Sequence, residues 1–246
     1  SLYLHYYLIP LSIGTSGPMK KSRCQHSMVA VGNSLFCLGG SNTQTRVKVK
    51  FKQDSTPQVN SSVEEYNIAA QRWFLAGDLL HPVCSAASAV CGEQILVFGG
   101  SGKDFQAMNY VQCFHSRLKQ SSVISNLPYV SRRLIATTIG ETVYITSKEQ
   151  DGSSILKLTS DFGFEDAGFE IPTDQGVLGI SHHDRQFVIL IESAETHGVL
   201  SSMIKVNLRS SKSEVIQMNG NSAPKVYHAS HRCYMDKKFL YHTYFH

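Results

Sequence analysis

The sequence of 246 residues predicts an all-β protein built from repeated four-stranded antiparallel sheets. Apolar runs recur along the chain at intervals of 60, 48, 44 and 52 residues, starting at Leu35, Ile95, Val143, Phe187 and Phe239. Each run follows a β-rich segment and a tight turn, and shorter β-rich segments separate it from the next run. A repeat of about 50 residues accommodates one small antiparallel sheet. We therefore expect the sequence to divide into similar sheets.

In each repeat we assign the first two strands, a and b, to a hairpin. Strand b is the apolar run, and the preceding turns include Gly32-Asn33 and Gly92-Glu93, which are residue types that hairpin turns prefer. Strand a is predicted at His26–Val31, Ser85–Val90, Leu134–Ile139, Val177–Ser181 and Val226–Ser230.

Strands c and d are predicted to complete each sheet. The pairs are Val63–Tyr66 with Trp73–Leu75, Tyr110–Phe114 with Val123–Ser125, Ile155–Leu158 with Phe169–Ile171, and Met203–Leu208 with Glu214–Gln217.

Three features of the first repeats resemble kelch repeats. Leu35–Gly40 and Ile95–Gly100 both end in a double glycine, which allows sharp bends and close approach of neighbouring strands. Tyr66 and Trp73 form an aromatic pair separated by a turn-like segment. The resemblance implies a kelch-type β-propeller of four-stranded antiparallel blades. It also implies that residues 1–246 form one propeller domain, a fragment of a longer protein.

The two ends of the chain predict how such a ring closes. Leu2–Ile13 is similar to a c–d pair without a and b, and Val226–Tyr244 is similar to an a–b pair without c and d. Together they would make one blade, and closure would leave only short sheet edges. We therefore expect five blades, the last formed by both termini; the alternative is a six-bladed ring that lacks a blade in this chain.

Composition and motifs argue against several functional classes. A net charge of +4 without a concentrated basic face does not indicate nucleic-acid binding. No apolar run approaches the ~20 residues that span a bilayer, so we expect no membrane partner. Six cysteines without a CxxC pair indicate reduced thiols and a cytoplasmic protein. No phosphate-binding loop, nucleophile elbow or zinc spacing occurs, so we expect no enzyme activity, no cofactor and no metal.

The family resemblance implies a protein-binding function. In BTB-kelch proteins the propeller captures a substrate, and a BTB domain, absent from this chain, engages a cullin-type ubiquitin ligase scaffold. A cytoskeletal, actin-associated kelch scaffold is the alternative, and a propeller enzyme such as a copper oxidase is a remote one. The family's partner surface is the rim formed by b–c and d–a loops. By position the b–c loops are Ser41–Ser61, Ser101–Ala107, Lys148–Ser153 and Glu192–Gly198. The d–a loops are Pro18–Arg23, His81–Pro82, Tyr129–Arg133, Thr173–Gln175 and Ala223–Lys225.

Cationic and aromatic residues in these loops are the candidate partner-binding residues. An arginine can hold a carboxylate through two parallel hydrogen bonds, which favours a protein or peptide partner with acidic residues. The long first b–c loop contains Thr45–Lys52, where basic and apolar residues alternate as in a strand with one basic face. The candidate residues are Arg23, Arg46, Lys48, Lys103, Tyr129, Arg132 and Arg133.

Overall fold

The computed structural model describes residues 18–42, 58–132, 134–147, 155–168, 177–183, 186–192, 200–207, 213–217, 234–236 and 239–241. Within these ranges the strands pair antiparallel, mostly in sheets of four, and no helix occurs. This confirms the predicted all-β class with kelch-type four-stranded blades. The described residues fall into two compact units, residues 18–132 and residues 134–241.

The first unit contains two blades in which strand order in space follows strand order in sequence. Blade 1 consists of β1 (Ser27–Val31), β2 (Ser34–Leu38), β3 (Ser62–Asn67) and β4 (Arg72–Asp78). Blade 2 consists of β5 (Ala87–Cys91), β6 (Gln94–Phe98), β7 (Tyr110–His115) and β8 (Gln120–Asn126).

The core of the first unit lies between its two blades. Alternate residues of β1 and β2 supply Val29, Phe36 and Leu38, which pack with Ile95, Val97 and Phe114 of blade 2. The Phe36 and Phe114 rings lie 6.2 Å apart in a tilted arrangement. Full burial of one such side chain stabilises a fold by about 1.5–3 kcal/mol, so this shared core holds the two sheets together.

The double glycines lie where neighbouring backbone segments meet. The Gly40 N–H donates to the Val83 carbonyl at 2.7 Å, and the Gly100 N–H donates to the Ser131 carbonyl at 3.0 Å. Both glycines have positive φ, and a Cβ on Gly100 would lie only 2.6 Å from the Cys84 oxygen. The predicted structural role of the glycines is therefore confirmed.

The aromatic pair of the first repeat lies across one blade. Tyr66 and Trp73 are opposite each other in the register of β3 and β4, and their ring centroids are 5.3 Å apart. Tyr66 is buried and Trp73 is half-buried. The two rings thus stabilise blade 1 as a direct cross-strand pair.

The second unit contains two further sheets and a hairpin. Blade 3 consists of β9 (Leu134–Ile139), β10 (Thr142–Ser147), β11 (Leu156–Leu158) and β12 (Phe164–Asp166). Blade 4 consists of β13 (Val177–His183), β14 (Gln186–Glu192), β15 (Leu200–Asn207) and β16 (Ser213–Gln217). The hairpin is a separate two-stranded sheet of β17 (Tyr234–Asp236) and β18 (Phe239–Tyr241). The core of blades 3 and 4 includes Ile135, Ile155, Ile189, Ile204 and Val206.

Two strand predictions were wrong in position. The fourth strand of blade 3 is Phe164–Asp166, because a tight turn at Thr159–Gly163 closes the hairpin there. In that turn the Asp161 carboxylate accepts a hydrogen bond from the Thr159 hydroxyl. The predicted strand Phe169–Ile171 lies outside the described residues.

The other misplaced strand is the partner of Phe239–Tyr241. That partner is Tyr234–Asp236, not Val226–Ser230, and only two residues separate the paired strands. Residues 226–230 lie outside the described residues, as does Leu2–Ile13. Closure by both termini, and the choice between five and six blades, stay predictions.

Candidate protein-binding rim

The direction of the strands places the b–c and d–a loops at the same end of each blade, opposite the hairpin turns. In the first unit three such loops belong to blade 2 and its borders: residues 79–83, 99–109 and 127–132. We call them the blade 2 rim. All three are described in full, so their anchoring can be followed bond by bond.

The first rim loop is anchored by the side chain of Gln112. This buried amide accepts a hydrogen bond from the His81 N–H at 2.7 Å and donates one to the His81 carbonyl at 3.1 Å. Leu80 N–H donates to the Ser121 hydroxyl at 3.2 Å. The His81 ring then stacks on Tyr110, with centroids 4.8 Å apart. The loop is thus fixed in both backbone and ring position.

The other two rim loops are anchored to each other. Leu127 N–H donates to the Asn109 carbonyl at 2.7 Å, and the Asn109 side-chain amide donates to the Leu127 carbonyl at 3.3 Å. Gly102 N–H donates to the Gln106 carbonyl at 2.9 Å, which closes a small turn that carries Lys103. Together with the Gly100–Ser131 hydrogen bond, these contacts bring the loops side by side.

Three predicted partner-binding residues lie on this rim. Lys103 and Arg132 are exposed, and Tyr129 is half-buried. Burial raises the pKa of Tyr129 to about 12, so its phenol remains a neutral hydrogen-bond donor at any ordinary pH. Arg46, Lys48 and Arg133 lie outside the described residues, and their predicted role stays a prediction.

Arg23 is placed differently from the surface position that we expected. Its side chain is fully buried and forms an ion pair with Glu64 at 2.5 Å. The same guanidinium donates to the carbonyl groups of Gly39 and Ser62, both at 2.8 Å. A group enclosed in this way cannot contact a partner, so the predicted binding role is corrected to a structural one.

Sequence reasoning missed Leu80 on the rim and Tyr110 at the adjoining start of β7, and it placed His81 and Val130 in the predicted loops without naming them as candidate binding residues. Leu80, Tyr110 and Val130 are among the exposed large hydrophobic residues of the unit, with 58%, 38% and 60% of their surface accessible. One signal was available, because Tyr110 begins strand c at the end where the rim lies. For Leu80 no signal existed, since the preceding Leu79 is equally apolar and is buried.

The side chains that the described rim exposes are suited to contact another molecule. Among them, no group of three or more histidine, cysteine and acidic residues is arranged to hold a metal ion. The five cysteines in the described ranges are reduced thiols. No helix in that part of the chain is long and apolar enough to cross a membrane. What the rim presents is a set of fixed apolar, aromatic and cationic side chains suited to contact another polypeptide.

Comparison with known proteins agrees with this architecture. The kelch motif model matches residues 22–79, which contain blade 1. Kelch-like protein 35 of Mus musculus is 34% identical over 127 residues, covering 52% of this chain and 20% of that protein. Kelch-like protein 25 of Xenopus tropicalis is 26% identical over 131 residues, covering 53% of this chain and 21% of that protein.

A third relative is Kelch-like protein 26 of Danio rerio, which is 26% identical over 103 residues, or 42% of this chain and 15% of that protein. The matched region thus spans about a fifth or less of the length of these relatives. The motif match, the relatives and the four-stranded antiparallel sheets agree: the chain carries a kelch motif over residues 22–79 and is similar to kelch-like proteins over about half of its length.

Proposed function

We propose that the chain is the partner-recognition propeller of a larger cytoplasmic adaptor protein and has no enzymatic activity of its own. In this proposal the rim binds a protein substrate, and a BTB domain elsewhere in the full-length protein engages a cullin-type ubiquitin ligase scaffold. Residues 1–246 form the propeller domain. The kelch motif and the kelch-like relatives support a protein-interaction role, and the adaptor role rests on the resemblance to BTB-kelch proteins.

The observation that carries the proposal is the anchored blade 2 rim. Its loops are held by hydrogen bonds to buried or half-buried groups, while Lys103 and Arg132 stay exposed on them. A surface that is ordered before binding loses less conformational entropy when a partner docks. Exposed cations on such a surface favour partners with acidic residues, because complementary charge speeds association and selects the partner.

The experiment compares the full-length protein with a Lys103→Glu, Arg132→Glu variant in cells. We expect both proteins to co-purify with a cullin-type scaffold, and only the wild type to retain its substrate and promote the substrate's ubiquitination. Arg117→Glu is the matched control, since Arg117 is also exposed but lies in the c–d turn at the opposite end of blade 2. Absence of any cullin-type scaffold from the wild-type complex would contradict the adaptor role, and co-sedimentation with actin filaments would favour a cytoskeletal scaffold.

A further inference from the structure

The loop before blade 1, residues 18–23, carries an exposed serine among basic residues. Ser22 directly follows Lys20 and Lys21, which are also exposed. No strand includes Ser22, because β1 begins only at Ser27. A hydroxyl in an irregular, accessible segment next to two lysines is suited to a kinase whose substrate cleft is acidic, since complementary charge selects the partner.

The other exposed serines of the described ranges lack this combination. Apart from Ser22, two serines with described side chains are exposed, Ser122 and Ser160. Ser122 lies within β8 opposite Cys113 of β7, so sheet pairing keeps its backbone from entering a kinase cleft as a free segment. Ser160 directly precedes Asp161, whose negative charge opposes binding to an acidic cleft. Ser22 is therefore the best placed of the three.

Ser22 also lies between groups that hold a buried carboxylate. The fully buried Glu64 side chain accepts hydrogen bonds from the N–H groups of Lys20, at 2.6 Å, and Lys21, at 3.0 Å. On the other side of Ser22, the Arg23 guanidinium forms an ion pair with Glu64 at 2.5 Å. The residues on both flanks of Ser22 thus contact the same carboxylate, and these contacts fix the loop on blade 1.

We propose that Ser22 is a phosphorylation site for a serine/threonine kinase that selects basic residues, and that the phosphate weakens the attachment of the loop to Glu64. The kinase transfers the γ-phosphoryl group of ATP to the Ser22 hydroxyl oxygen, the hydroxyl proton is released and ADP leaves. The product carries a charge of about −1.5 to −2 at neutral pH, and a phosphate beside a carboxylate repels it. Lys20 and Lys21 attract the phosphate, but ion pairs between exposed groups contribute little.

Phosphorylation of the whole chain in vitro tests the site. The chain is incubated with ATP and the catalytic domain of a kinase of this class, and mass spectrometry locates the phosphate. We expect modification at Ser22 and its loss in Ser22→Ala. Lys20→Gln with Lys21→Gln should slow the modification by about tenfold or more, because it removes both charges. The backbone N–H groups that bind Glu64 remain in this variant.

Ser122→Ala is the matched control, because Ser122 is also exposed and follows two basic residues, Arg117 and Lys119. It should leave the amount of incorporated phosphate unchanged. Phosphate on Ser122 instead of Ser22, or on neither serine, would overturn the proposed site.

Thermal unfolding tests the effect on Glu64. The phosphorylated chain should unfold about 2–4 °C below the unmodified chain at low salt, which is a small loss for a chain of this size. High salt should reduce the difference, because it screens the repulsion. In a variant that combines Arg23→Val and Glu64→Gln, which removes both buried charges, phosphorylation should lower the midpoint less. A midpoint that phosphorylation leaves unchanged in the wild type, or lowers equally in both proteins, would overturn the proposed effect on Glu64.

Discussion

In blades 1 and 2, different side chains at equivalent positions hydrogen-bond to the loop that precedes the first strand of the blade. In blade 1 the Glu64 carboxylate accepts hydrogen bonds from the backbone N–H groups of Lys20 and Lys21, at 2.6 and 3.0 Å. In blade 2 the Gln112 amide holds both backbone polar groups of His81. Glu64 and Gln112 are equivalent, since they lie opposite Cys37 and Val97, the third apolar residues of their b runs.

The charge on Glu64 explains why blade 1 needs Arg23 and blade 2 needs no counterpart. A buried carboxylate is costly unless it is paired and hydrogen-bonded, whereas a buried amide only needs its hydrogen bonds. Blade 2 has Val83 at the position of Arg23, directly before the cysteine that bridges to the end of strand b. The comparison shows that the same backbone arrangement can be held by a charged carboxylate or by a neutral amide, provided that the buried polar group has its hydrogen-bond partners.

The largest loss of stability is expected when the buried ion pair between Arg23 and Glu64 is broken. Glu64→Ala leaves Arg23 buried without its counter-ion and should lower the free energy of unfolding by about 3–5 kcal/mol. Gln112→Ala leaves two backbone groups of His81 unpaired and should cost about 1–3 kcal/mol. Urea unfolding, followed by the fluorescence of Trp73, the single tryptophan of the chain, measures both.

A double variant sharpens the same experiment. Arg23→Val with Glu64→Gln copies the pair that blade 2 uses, and should recover most of the stability lost in Glu64→Ala, because replacing a buried ion pair is often close to neutral. Equal losses for Glu64→Ala and Gln112→Ala would show that the ion pair does not distinguish the two blades.

The second prediction concerns a feature that the blades share. Gly40→Ala and Gly100→Ala should each lower the free energy of unfolding by about 2–4 kcal/mol, since positive φ costs roughly 1–2 kcal/mol and the new Cβ overlaps backbone atoms. A Cβ at Gly40 would lie 2.8 Å from the Cys24 oxygen. Thermal unfolding at fixed pH measures the loss in each blade.

The hairpin glycines provide the control for this prediction. Gly32 and Gly92 also have positive φ, but a Cβ on either would meet nothing within 4 Å. Gly32→Ala and Gly92→Ala should therefore show only the conformational cost of about 1–2 kcal/mol. If all four substitutions cost the same, close backbone approach is not the reason for the double glycine.

Much of the fold followed from the sequence because the strands and turns of the first unit have local signals. In blades 1 and 2 the apolar runs that end in a double glycine located strand b, the segments before the hairpin turns located strand a, and the β-rich segments that follow located strands c and d. The pattern misplaced the fourth strand of blade 3, because the turn around Asp161 closes the hairpin so that Phe164–Asp166 pairs with β11. Turn geometry depends on side-chain hydrogen bonds that a hydrophobicity pattern does not contain.

The candidate site was harder to predict than the fold. Position in a rim loop correctly identified Lys103, Tyr129 and Arg132 as rim residues, because loop location follows from strand direction. It misplaced Arg23, since only the three-dimensional register brings Glu64 of β3 beside this arginine. Long-range pairing of this kind leaves no trace in one sequence, because the two residues are 41 positions apart.

The third prediction concerns His26, a histidine with no equivalent histidine in blade 2. Burial, with a smaller contribution from the charge of Arg23, lowers the pKa of His26 from 6.5 to about 4. Between these values the unfolded chain binds a proton that the folded chain does not, so stability falls as pH drops from about 7 to 4. The loss attributable to His26 should reach about 3 kcal/mol, at 1.36 kcal/mol for each pH unit.

His26→Ala removes this pH dependence and copies Ala86, the equivalent residue of blade 2. Free energies of unfolding measured from pH 8 to pH 4 should fall less steeply for the variant than for the wild type. The cavity left by the substitution lowers stability by the same amount at every pH and does not change the slope. Parallel curves for the two proteins would show that the imidazole is not kept neutral by burial.

The smallest effect is expected at the contact between the two blades. Lys119 of blade 2 forms an ion pair with Glu65 of blade 1 at 2.6 Å and lies 4.7 Å from the centre of the Phe36 ring. Because the lysine is partly exposed, Lys119→Ala should lower the free energy of unfolding by about 1 kcal/mol. Although burial acts to raise the Glu65 pKa, hydrogen bonds from Lys119 and Ser34 lower it overall. The stabilisation is therefore present above the ordinary carboxyl pKa and is lost as the carboxylate is protonated.

Lys119→Met separates the two contributions, because it keeps the alkyl contact with Phe36 and removes the charge. We expect high salt to reduce the difference between wild type and Lys119→Met, since screening weakens an exposed ion pair. The Arg117–Glu93 pair within blade 2, at 3.2 Å, is the control. Arg117→Ala should cost less than Lys119→Ala, because Arg117 is 76% exposed and its partner Glu93 lies on the same blade. A loss at Arg117 as large as that at Lys119 would mean that the contact between blades adds nothing beyond a surface ion pair.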